Sequence, residues 1–253
     1  MSSSTLDGHR ALVTGASQNL GRHLATHLAG AGATVAIGAN TSREAAEELA
    51  EELGARTGRE HPVVTADLGE VGGAESLASQ AHDALGGVDI LVNNAGPFSI
   101  TPLVEVPAEE WRRTLESNLT ASLLLARSFM PAMAEAGWGR VVNLSAGSAF
   151  VRNHATYGLV KDAVGALTES LALEAGPGVT VNAVAPGQIE ESAPEVSAID
   201  PTFVERALAR TPTQRMVRRD EVAEVVLALC QPMFSQLTGA VLPLDGGWRL
   251  PRF

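Results

Sequence analysis

Residues 11–21 read ALVTGASQNLG, and this stretch decides the fold. Its first part, ALVTG, is a short apolar run with the composition of a buried strand. A turn bounded by Gly15 and Gly21 follows, and the window 20–31 has helical periodicity. A strand that passes through such a turn directly into a helix is the building unit of α/β folds, so we expect the unit to recur along the chain.

The alternation of strand and helix does recur. Further apolar runs, rich in β-branched residues, are predicted strands at 34–38, 62–66, 89–94, 140–145, 179–185 and 240–245. Further windows have helical periodicity at 43–54, 73–85, 108–135, 156–175 and 219–230. Because the strands are apolar almost throughout, helices should cover both faces of a parallel sheet. The sequence therefore predicts one doubly wound α/β domain over residues 1–253.

One long connection differs from the others. Residues 188–214 are polar and contain prolines. The segment is too long for a simple connection between a strand and a helix. We predict that it forms a mobile lid over a substrate and contains one short helix.

Composition and charge narrow the class of protein. Hydrophobic residues make up 45% of the 253 and charged residues 19%, as in ordinary globular proteins. The formal net charge of -11 repels nucleic acid and anionic membranes, so we expect neither as a partner. The single cysteine, Cys230, cannot form an internal disulfide, and we recognise no signal peptide or membrane span, so we expect a cytoplasmic protein. His23 and His27 have no carboxylate or cysteine at ligand spacing, so no metal site is predicted.

The glycine turn indicates a phosphate ligand. In a strand–turn–helix unit, glycines let the backbone approach a pyrophosphate, and the helix N-terminus supplies N–H donors and a positive dipole. We therefore predict that a dinucleotide contacts Gly15, Ser17, Gln18, Asn19, Leu20 and Gly21. The alternative is a turn that only connects strand to helix, because glycines are common at such turns.

Several motifs occur along the chain in one order. They are TGASQNLG at 14–21, NNAG at 93–96, Asn118, Tyr157 and Lys161 as YxxxK, Pro186–Gly187, and TG followed by DGG near the end. This set resembles the short-chain dehydrogenase/reductase family, in the one-domain form that includes the 3-oxoacyl reductases. The resemblance covers essentially the whole chain. It implies a seven-stranded, mostly parallel Rossmann sheet of order 3-2-1-4-5-6-7, helices on both faces, and usually a homotetramer.

The first turn departs from the family pattern at one position. Asn19 stands where the family has its middle glycine. Asparagine tolerates left-handed backbone better than most residues, so we expect the turn to be kept. Its side chain would add bulk or a hydrogen bond near the phosphates.

The end of the second strand decides between NAD and NADP. NAD enzymes usually place an acidic residue there to bind the ribose hydroxyls, whereas this chain has Ala39 in GANTSRE, residues 38–44. A 2′-phosphate would meet hydroxyls and a guanidinium instead, from Asn40, Thr41, Ser42 and Arg43. We therefore predict NADP(H), with NAD(H) as the alternative cofactor. These residues could also serve only to cap the next helix.

The resemblance assigns further cofactor contacts. It places Asp67 and Leu68 at the adenine, and Asn94, Ala95 and Gly96 on the cofactor wall. PGQIEE at 186–191 resembles the family's nicotinamide loop and implies contacts from Pro186, Gly187 and Ile189. Glu191 replaces a threonine of that loop, so we expect it to point away from the pyrophosphate, with Ser192 as the contact instead.

The only lysine of the chain follows its only tyrosine by four residues. Seventeen of the 18 Lys+Arg residues are arginine, which leaves Lys161, and the one tyrosine is Tyr157. Four residues on a helix place both side chains on one face. An ammonium and an oxidised nicotinamide both favour the phenolate, so we expect the pKa of Tyr157 to lie below its ordinary ~10. Tyr157 can then donate a proton to a carbonyl oxygen or remove one from an alcohol.

The resemblance adds the other catalytic groups. It implies that Lys161 also holds the nicotinamide ribose and that Asn118 completes a proton relay. The family's catalytic serine is harder to place, because Ala146 occupies its usual position in NLSAGS, 143–148. Ser145 is the first choice, Ser148 the second, and no serine the third. We expect the substrate pocket to be bordered by Pro97, Phe98, Phe150, Val151, His154 and Gln188.

Three functions remain open at this point. The main one is an NADP-dependent ketoreductase or alcohol dehydrogenase that acts on a small free ketone or secondary alcohol. A 3-oxoacyl carrier-protein reductase is the first alternative, but Gly137 and Pro177 stand where such enzymes have carrier-docking basic residues. The second alternative is a catalytically idle NADP-binding sensor or interaction protein. We expect a homotetramer, because the helices that bear Asn118 and Tyr157 are apolar around much of their surface.

Overall fold

Seven strands form one sheet in the computed structural model, which describes residues 5–99, 101–150 and 155–250. They are β1 (Arg10–Val13), β2 (Thr34–Ala39), β3 (Val63–Thr65), β4 (Ile90–Asn93), β5 (Gly139–Leu144), β6 (Val179–Pro186) and β7 (Val241–Leu244). Their order is β3-β2-β1-β4-β5-β6-β7, and every neighbouring pair is parallel. This confirms the predicted seven-stranded, doubly wound Rossmann fold.

Helices follow the strands as predicted, with one exception. They are α1 (Asn19–Gly30), α2 (Arg43–Thr57), α3 (Gly73–Leu85), α4 (Ala108–Leu115), α5 (Ala121–Ala136), α6 (Thr156–Glu174), α7 (Ala193–Ile199), α8 (Phe203–Arg210) and α9 (Arg219–Leu229). The exception is the window 108–135, predicted as one helix, which a π-helical turn at Glu116–Thr120 divides into α4 and α5. Such a turn widens the helix by one residue, and it is often found at functional sites.

Both faces of the sheet are buried under helices. Alternate strand residues point to opposite faces, so Ala11 and Val13 pack with the α1, α2 and α9 side chains, whereas Leu12 packs with α3 and α5. All three strand residues are fully buried. This double cover explains why the strands read as continuous apolar runs. In the part of the chain that the structure describes, no helix is long and apolar enough to cross a membrane.

The order of the strands reverses between β1 and β4, which opens a crevice at their carboxyl ends. Hydrogen bonds tie the two strand ends together there. The Thr14 hydroxyl accepts the N–H groups of Asn94 (3.0 Å) and Ala95 (2.9 Å), and the Asn94 side chain donates to the Thr14 carbonyl oxygen (2.9 Å). The glycine turn and the NNAG motif therefore form one rigid wall of the crevice.

The segment 188–214 contains more structure than predicted. A 3₁₀ turn at Glu190–Ser192 precedes two short helices, α7 and α8, so the prediction of a single helix is wrong. The turn at Asp200 and Pro201 separates the two helices, because a proline disfavours helical backbone at the residue before it. The segment contacts the turn at residues 245–250, called the C-terminal turn below. There, Thr213 N donates to the Gly246 carbonyl oxygen (3.3 Å). Mobility of this lid remains a prediction.

Candidate active site

The glycine turn after β1 is built so that an anion can approach its backbone. A β-carbon added at Gly21 would overlap the Gly15 carbonyl oxygen, so only glycine fits there. Gly15 (φ 63°) and Asn19 (φ 50°) both have left-handed backbone. Asn19 thus keeps the turn in the expected way. Helix α1 begins at Asn19, so its unpaired N–H groups and positive dipole end lie at this turn.

The end of β2 lies against the glycine turn. The hydroxyls of Ser17 and Ser42 are 2.9 Å apart, which joins two of the predicted phosphate contacts directly. Ala39 is buried and adds no carboxylate. Arg43 is exposed, and its Nε donates to Glu47 one turn further along α2 (2.7 Å). The region between the glycine turn and the end of β2 therefore offers hydroxyls, and a guanidinium that can turn towards a phosphate.

A cavity of about 260 Å³ joins the ends of the first four strands. Its walls bring together cofactor residues that the sequence predicted separately: Gly15, Asn40, Asp67, Leu68, Ala95 and Gly96, with Pro97 from the predicted substrate pocket. The cavity thus has the position expected for the adenosine end of a dinucleotide.

Arg113 of α4 also lines this cavity, and sequence reasoning missed it. Its guanidinium donates to both carboxylate oxygens of Asp67 (3.1 and 3.2 Å) and to Glu70 (3.1 Å). Partial burial opposes ionisation of Asp67, but hydrogen bonds from Gly69 N–H, Arg113 and Asn40 outweigh it and lower the Asp67 pKa. The Trp-Arg-Arg sequence at 111–113 indicated that an arginine could lie near the site. The sequence alone did not show whether it would be Arg112 or Arg113.

Asn118 lies within the π-helical turn and packs against the cofactor wall. A β-carbon at Gly96 would overlap the Asn118 side-chain oxygen. The Asn118 amide nitrogen donates to the Thr114 carbonyl oxygen (3.0 Å). Within the described residues, the buried Oδ1 atom of Asn118 has no hydrogen-bond partner. An unpaired buried oxygen of this kind is a place where a ligand or an ordered water can bind.

Tyr157 and Lys161 lie in the first two turns of α6, near the carboxyl end of β5. The Lys161 Nζ is 5.5 Å from the centre of the Tyr157 ring and donates to the Leu144 carbonyl oxygen (2.7 Å). Lys161 is only 4% exposed. Phe98, a predicted pocket residue, meets the Tyr157 ring edge-on at 5.0 Å. The predicted pair therefore shares one face of the helix, with an aromatic neighbour.

Burial dominates the ionisation of this pair. It raises the pKa of Tyr157 to about 12 and lowers the pKa of Lys161 to about 8. The expectation that Tyr157 titrates below its ordinary value is therefore wrong for the protein by itself. The reason is that an apolar environment penalises the charged form of each group, phenolate and ammonium alike.

The two candidate serines differ in their partners. Ser145 is buried, and its hydroxyl donates to the Lys161 carbonyl oxygen (2.7 Å). Ser148 lies in a 3₁₀ turn at Gly147–Phe150. In the described part of the chain, its buried Oγ atom has no hydrogen-bond partner. Ala146, at the family's usual position, has no hydroxyl.

The Pro186–Gly187 turn packs against the turn that carries Ser148. A β-carbon at Gly147 would lie 3.1 Å from the Pro186 carbonyl oxygen and 3.2 Å from the Gly187 α-carbon. Gly187 N donates to the Leu244 carbonyl oxygen (2.8 Å), and Ile189 forms an isolated parallel β-bridge with Val217. The expected nicotinamide loop and the candidate serine therefore border the same space.

Glu191 and Ser192 follow this loop, and both bind Arg219 at the start of α9. The Glu191 carboxylate accepts the Arg219 N–H group at 3.1 and 3.2 Å, and the Ser192 hydroxyl accepts from the Arg219 guanidinium at 3.3 Å. A carboxylate is stabilised at this helix N-terminus. The unusual Glu191 thus has a structural partner outside the loop.

Two other predicted pocket residues, Phe150 and Gln188, line different cavities. Phe150 is exposed, with the Arg249 guanidinium 5.1 Å above its ring. Gln188 lines a separate cavity of about 360 Å³ beside α8. Val151 and His154 lie outside the described residues. Among residues 5–99, 101–150 and 155–250, no group of three His, Cys, Asp or Glu side chains could hold a metal ion.

A Rossmann sheet with a tyrosine and a buried lysine on one helix face at its carboxyl edge defines a class of oxidoreductases that act on CH–OH and C=O groups. Comparisons with known proteins give the family. A family model described as enoyl-(acyl carrier protein) reductase matches residues 15–249. The chain belongs to the short-chain dehydrogenase/reductase family.

Individual relatives match over nearly their whole length. The 3-oxoacyl-[acyl-carrier-protein] reductase of Aquifex aeolicus is 35% identical over 245 residues, which cover 96% of this chain and 98% of the relative. The D-beta-hydroxybutyrate dehydrogenase of Rhizobium meliloti is 30% identical over 254 residues, with 94% and 97% covered. A gluconate 5-dehydrogenase from Burkholderia cenocepacia, solved in complex with NADP and tartrate, has a TM-score of 0.90 and 28% identity, with 99% and 98% covered.

Proposed function

We propose that this protein is an NADP(H)-dependent oxidoreductase that transfers a hydride between the nicotinamide and a small ketone or secondary alcohol. The observation that carries the proposal is the Tyr157–Lys161 pair on one helix face at the carboxyl edge of the sheet, with the lysine buried and the tyrosine partly buried. The similar gluconate 5-dehydrogenase was solved with NADP, and the named relatives act on hydroxyl or oxo groups. We propose the cytoplasm as its compartment, because its single thiol, Cys230, is buried and unpaired.

The residues of the crevice fit such a cofactor. Gly21 leaves a cradle that a β-carbon would fill, Asn118 has an unpaired buried oxygen, and the cavity beside Asp67 joins four strand ends. The pyrophosphate would be held by Gly15, Ser17, Gln18, Asn19, Leu20 and Gly21, and the 2′-phosphate by Asn40, Thr41, Ser42 and Arg43. Asp67 and Leu68 would hold the adenine, Asn94, Ala95 and Gly96 the wall, and Pro186, Gly187 and Ile189 the nicotinamide. When bound, NADPH supplies the hydride.

Tyr157 acts as the proton donor in the direction of reduction. With a pKa of about 12, its phenol keeps the proton at neutral pH and can deliver it to the carbonyl oxygen as negative charge develops there. Lys161, with a pKa of about 8, is still mostly protonated at pH 7. Its ammonium, fixed by the Leu144 carbonyl oxygen, stabilises the phenolate that remains after proton transfer and can also bind the ribose.

We propose Ser148, rather than Ser145, as the serine that holds the substrate oxygen, which reverses the order expected from the sequence. A carbonyl oxygen needs a donor, and a serine has one hydroxyl hydrogen. Ser145 already donates that hydrogen to the Lys161 carbonyl oxygen, so its role is to position α6. Ser148 has a free buried hydroxyl within the described part of the chain.

A free small ketone is the favoured substrate, and a 3-oxoacyl carrier-protein thioester is the alternative that the Aquifex aeolicus relative suggests. The purified protein should be assayed by NADPH absorbance with a panel of ketones, alcohols and carrier-like thioesters. We expect NADPH to exceed NADH by at least about tenfold in kcat/KM, a difference of ~1.4 kcal/mol. Equal use of NADH would contradict the cofactor assignment, and binding of NADPH without any turnover would favour an idle sensor.

The decisive variant is Tyr157→Phe. It deletes one hydroxyl and should leave NADPH affinity nearly intact while lowering kcat by about 100-fold or more, as expected for loss of a general acid. Thr156→Val is the matched control, because it removes the neighbouring buried hydroxyl, which has no partner within the described residues. Near-normal turnover of the Tyr157→Phe enzyme on its best substrate would exclude this mechanism.

A further inference from the structure

A second cavity adjoins the proposed reaction site. It has a volume of about 360 Å³ and is lined by Gln188, Phe203, Arg206, Ala207, Arg210 and Trp248. Gln188 directly follows Gly187, whose α-carbon packs against Gly147 next to Ser148. The cavity therefore begins one residue from the contact between Gly187 and the first residue of the Ser148 turn. Its size is near the lower limit of ordinary small-molecule pockets.

Helix α8 places an unusual set of side chains in this cavity. Phe203, Arg206, Ala207 and Arg210 have the spacing of one helix face, and all four line the cavity. A surface helix normally turns such a face inward as an apolar stripe. Here two of the four residues on this face, Arg206 and Arg210, are arginines. The chain has a net charge of -11, so whether this wall is locally positive depends on the carboxylates that pair with its two arginines.

The two arginines differ in their partners. Arg206 forms an ion pair with Asp200, so its charge is largely balanced. Arg210 stacks over the Trp248 ring, 5.2 Å from the ring centre to the guanidinium carbon. No carboxylate lies within 4.0 Å of Arg210 in the part of the chain that the structure describes. This contact places the guanidinium over the ring, and its N–H groups can still bind oxygen atoms.

Trp248 belongs to a turn that connects this cavity to the active site. Trp248 N donates to the Asp245 carbonyl oxygen (3.0 Å), and a β-carbon at Gly187 would lie 2.8 Å from the Asp245 α-carbon. The next residue, Arg249, covers the Phe150 ring at the end of the Ser148 turn. This turn thus links Trp248, whose ring lies under Arg210, to the Pro186–Gly187 loop.

We infer that the substrate carries an anionic group, a carboxylate or a phosphate, and that Arg210 binds this group while the reacting carbonyl lies at Tyr157. The inference rests on the proposed function and adds the substrate class. Arginine forms paired hydrogen bonds with planar carboxylates and with phosphates, and Arg210 presents a guanidinium at the cavity wall that can supply them. A basic residue in the last turn of a helix also stabilises the helix dipole, so the test must separate binding from that effect.

The test compares acids with their neutral esters. Wild-type protein is assayed with acetoacetate, levulinate, the methyl ester of each, and hydroxyacetone phosphate, alongside Arg210→Gln and a control, Arg56→Gln. Arg56 occupies the last turn of α2 and pairs with Glu52, so its loss removes the same charge from a helix end far along the chain. The folding of each variant is checked by its melting temperature.

We expect wild type to favour an anionic ketone over the matched neutral one by about tenfold or more in kcat/KM, as for a hydrogen bond to a charged group. Arg210→Gln should reduce this ratio about tenfold, mainly through KM, and Arg56→Gln should not. Preference for the acids identifies a carboxylate, and preference for the phosphate alone identifies a phosphate. Equal rates with acids and esters, or a ratio unaffected by Arg210→Gln, overturn the inference. Failure to reduce any ketone, charged or neutral, would instead overturn the proposed function.

Discussion

Lys161 links stability to catalysis at the scale of single residues. Its ammonium is almost fully buried and donates a hydrogen bond to the Leu144 carbonyl oxygen. Its pKa of about 8 is far below that of an exposed lysine, ~10.4, so the unfolded chain binds the proton more tightly than the folded protein does. The folded state therefore loses stability as pH falls from about 10.4 to about 8. The protein nevertheless keeps the Lys161 ammonium buried, because the proposed proton transfer requires a positive charge beside Tyr157.

The variant Lys161→Met tests this linkage. Between about pH 8 and pH 10.5, wild-type stability should rise with pH because the unfolded state holds more protons, and the variant should lack that rise. Between pH 7 and pH 10.5, the free energy of unfolding of wild type should therefore rise by about 3 kcal/mol relative to that of the variant. Urea unfolding of both proteins at several pH values measures it. Parallel curves for the two proteins would show that Lys161 does not have a lowered pKa.

The two serines give a second test at this scale. If Ser148 donates to the substrate oxygen, Ser148→Ala should lower kcat by about 10- to 100-fold, the effect of one lost hydrogen bond to a developing charge. Ser145→Ala should mainly lower the melting temperature, because it removes the side-chain hydrogen bond to the Lys161 carbonyl oxygen. Steady-state kinetics and thermal melts of both variants separate the roles. A larger loss of kcat in Ser145→Ala would restore the order first expected from the sequence.

At the scale of elements, the glycine turn and helix α1 offer a matched pair of substitutions. Gly21→Ala should displace the Gly15 carbonyl, weaken NADPH binding and destabilise the fold, because the added β-carbon has no room. Gly30→Ala, on the same helix, meets nothing within 4 Å and should raise stability by up to about 1 kcal/mol. Thermal melts and NADPH titrations measure both. Similar behaviour of the two variants would mean that the turn is more adaptable than its geometry indicates.

The elements also show what the sequence could predict. Strand and helix windows agree with the structure to within a few residues, because apolar periodicity reports burial directly. The π-helical turn at Glu116–Thr120 was missed, since a one-residue widening leaves the apolar pattern of the window almost unchanged. One short helix was predicted in the lid where the structure has two, because segments of seven and eight residues are too short for a clear period.

Within the site, the sequence predicted what local spacing determines and missed what tertiary packing determines. The YxxxK pair was predictable, because its spacing alone fixes a shared helix face. The roles of Ser145 and Ser148 were not, because they depend on which hydroxyl finds a backbone acceptor in the folded chain. Arg113 and Arg210 were missed for a similar reason, since tertiary packing decides which of many arginines faces a cavity.

At the scale of the whole molecule, one outer face is suited to contact with another copy of the chain. A groove of about 670 Å³ runs between α4 and α6 and is lined in part by Trp111, Leu115, Leu159 and Ala166. Leu159 is 40% exposed, although it lies only two residues from Tyr157 on α6. Asp162 and Glu169 also line the groove, but exposed apolar side chains on a helix pair are typical of a protein interface. We therefore keep the homotetramer as a prediction.

Ala166→Glu tests the tetramer. Ala166 is exposed in the single chain, so a glutamate there should be tolerated by the fold, but it would place a charge inside an interface formed by the groove. We expect light scattering at micromolar concentration to give four chains for wild type and a smaller assembly for the variant. Ala55→Glu, on the exposed side of α2, is the matched control and should assemble as wild type does. Because α6 carries both the groove and the Tyr157–Lys161 pair, disassembly should also lower kcat. A wild-type monomer would refute the prediction, and a tetramer unaffected by Ala166→Glu would assign the interface to another face.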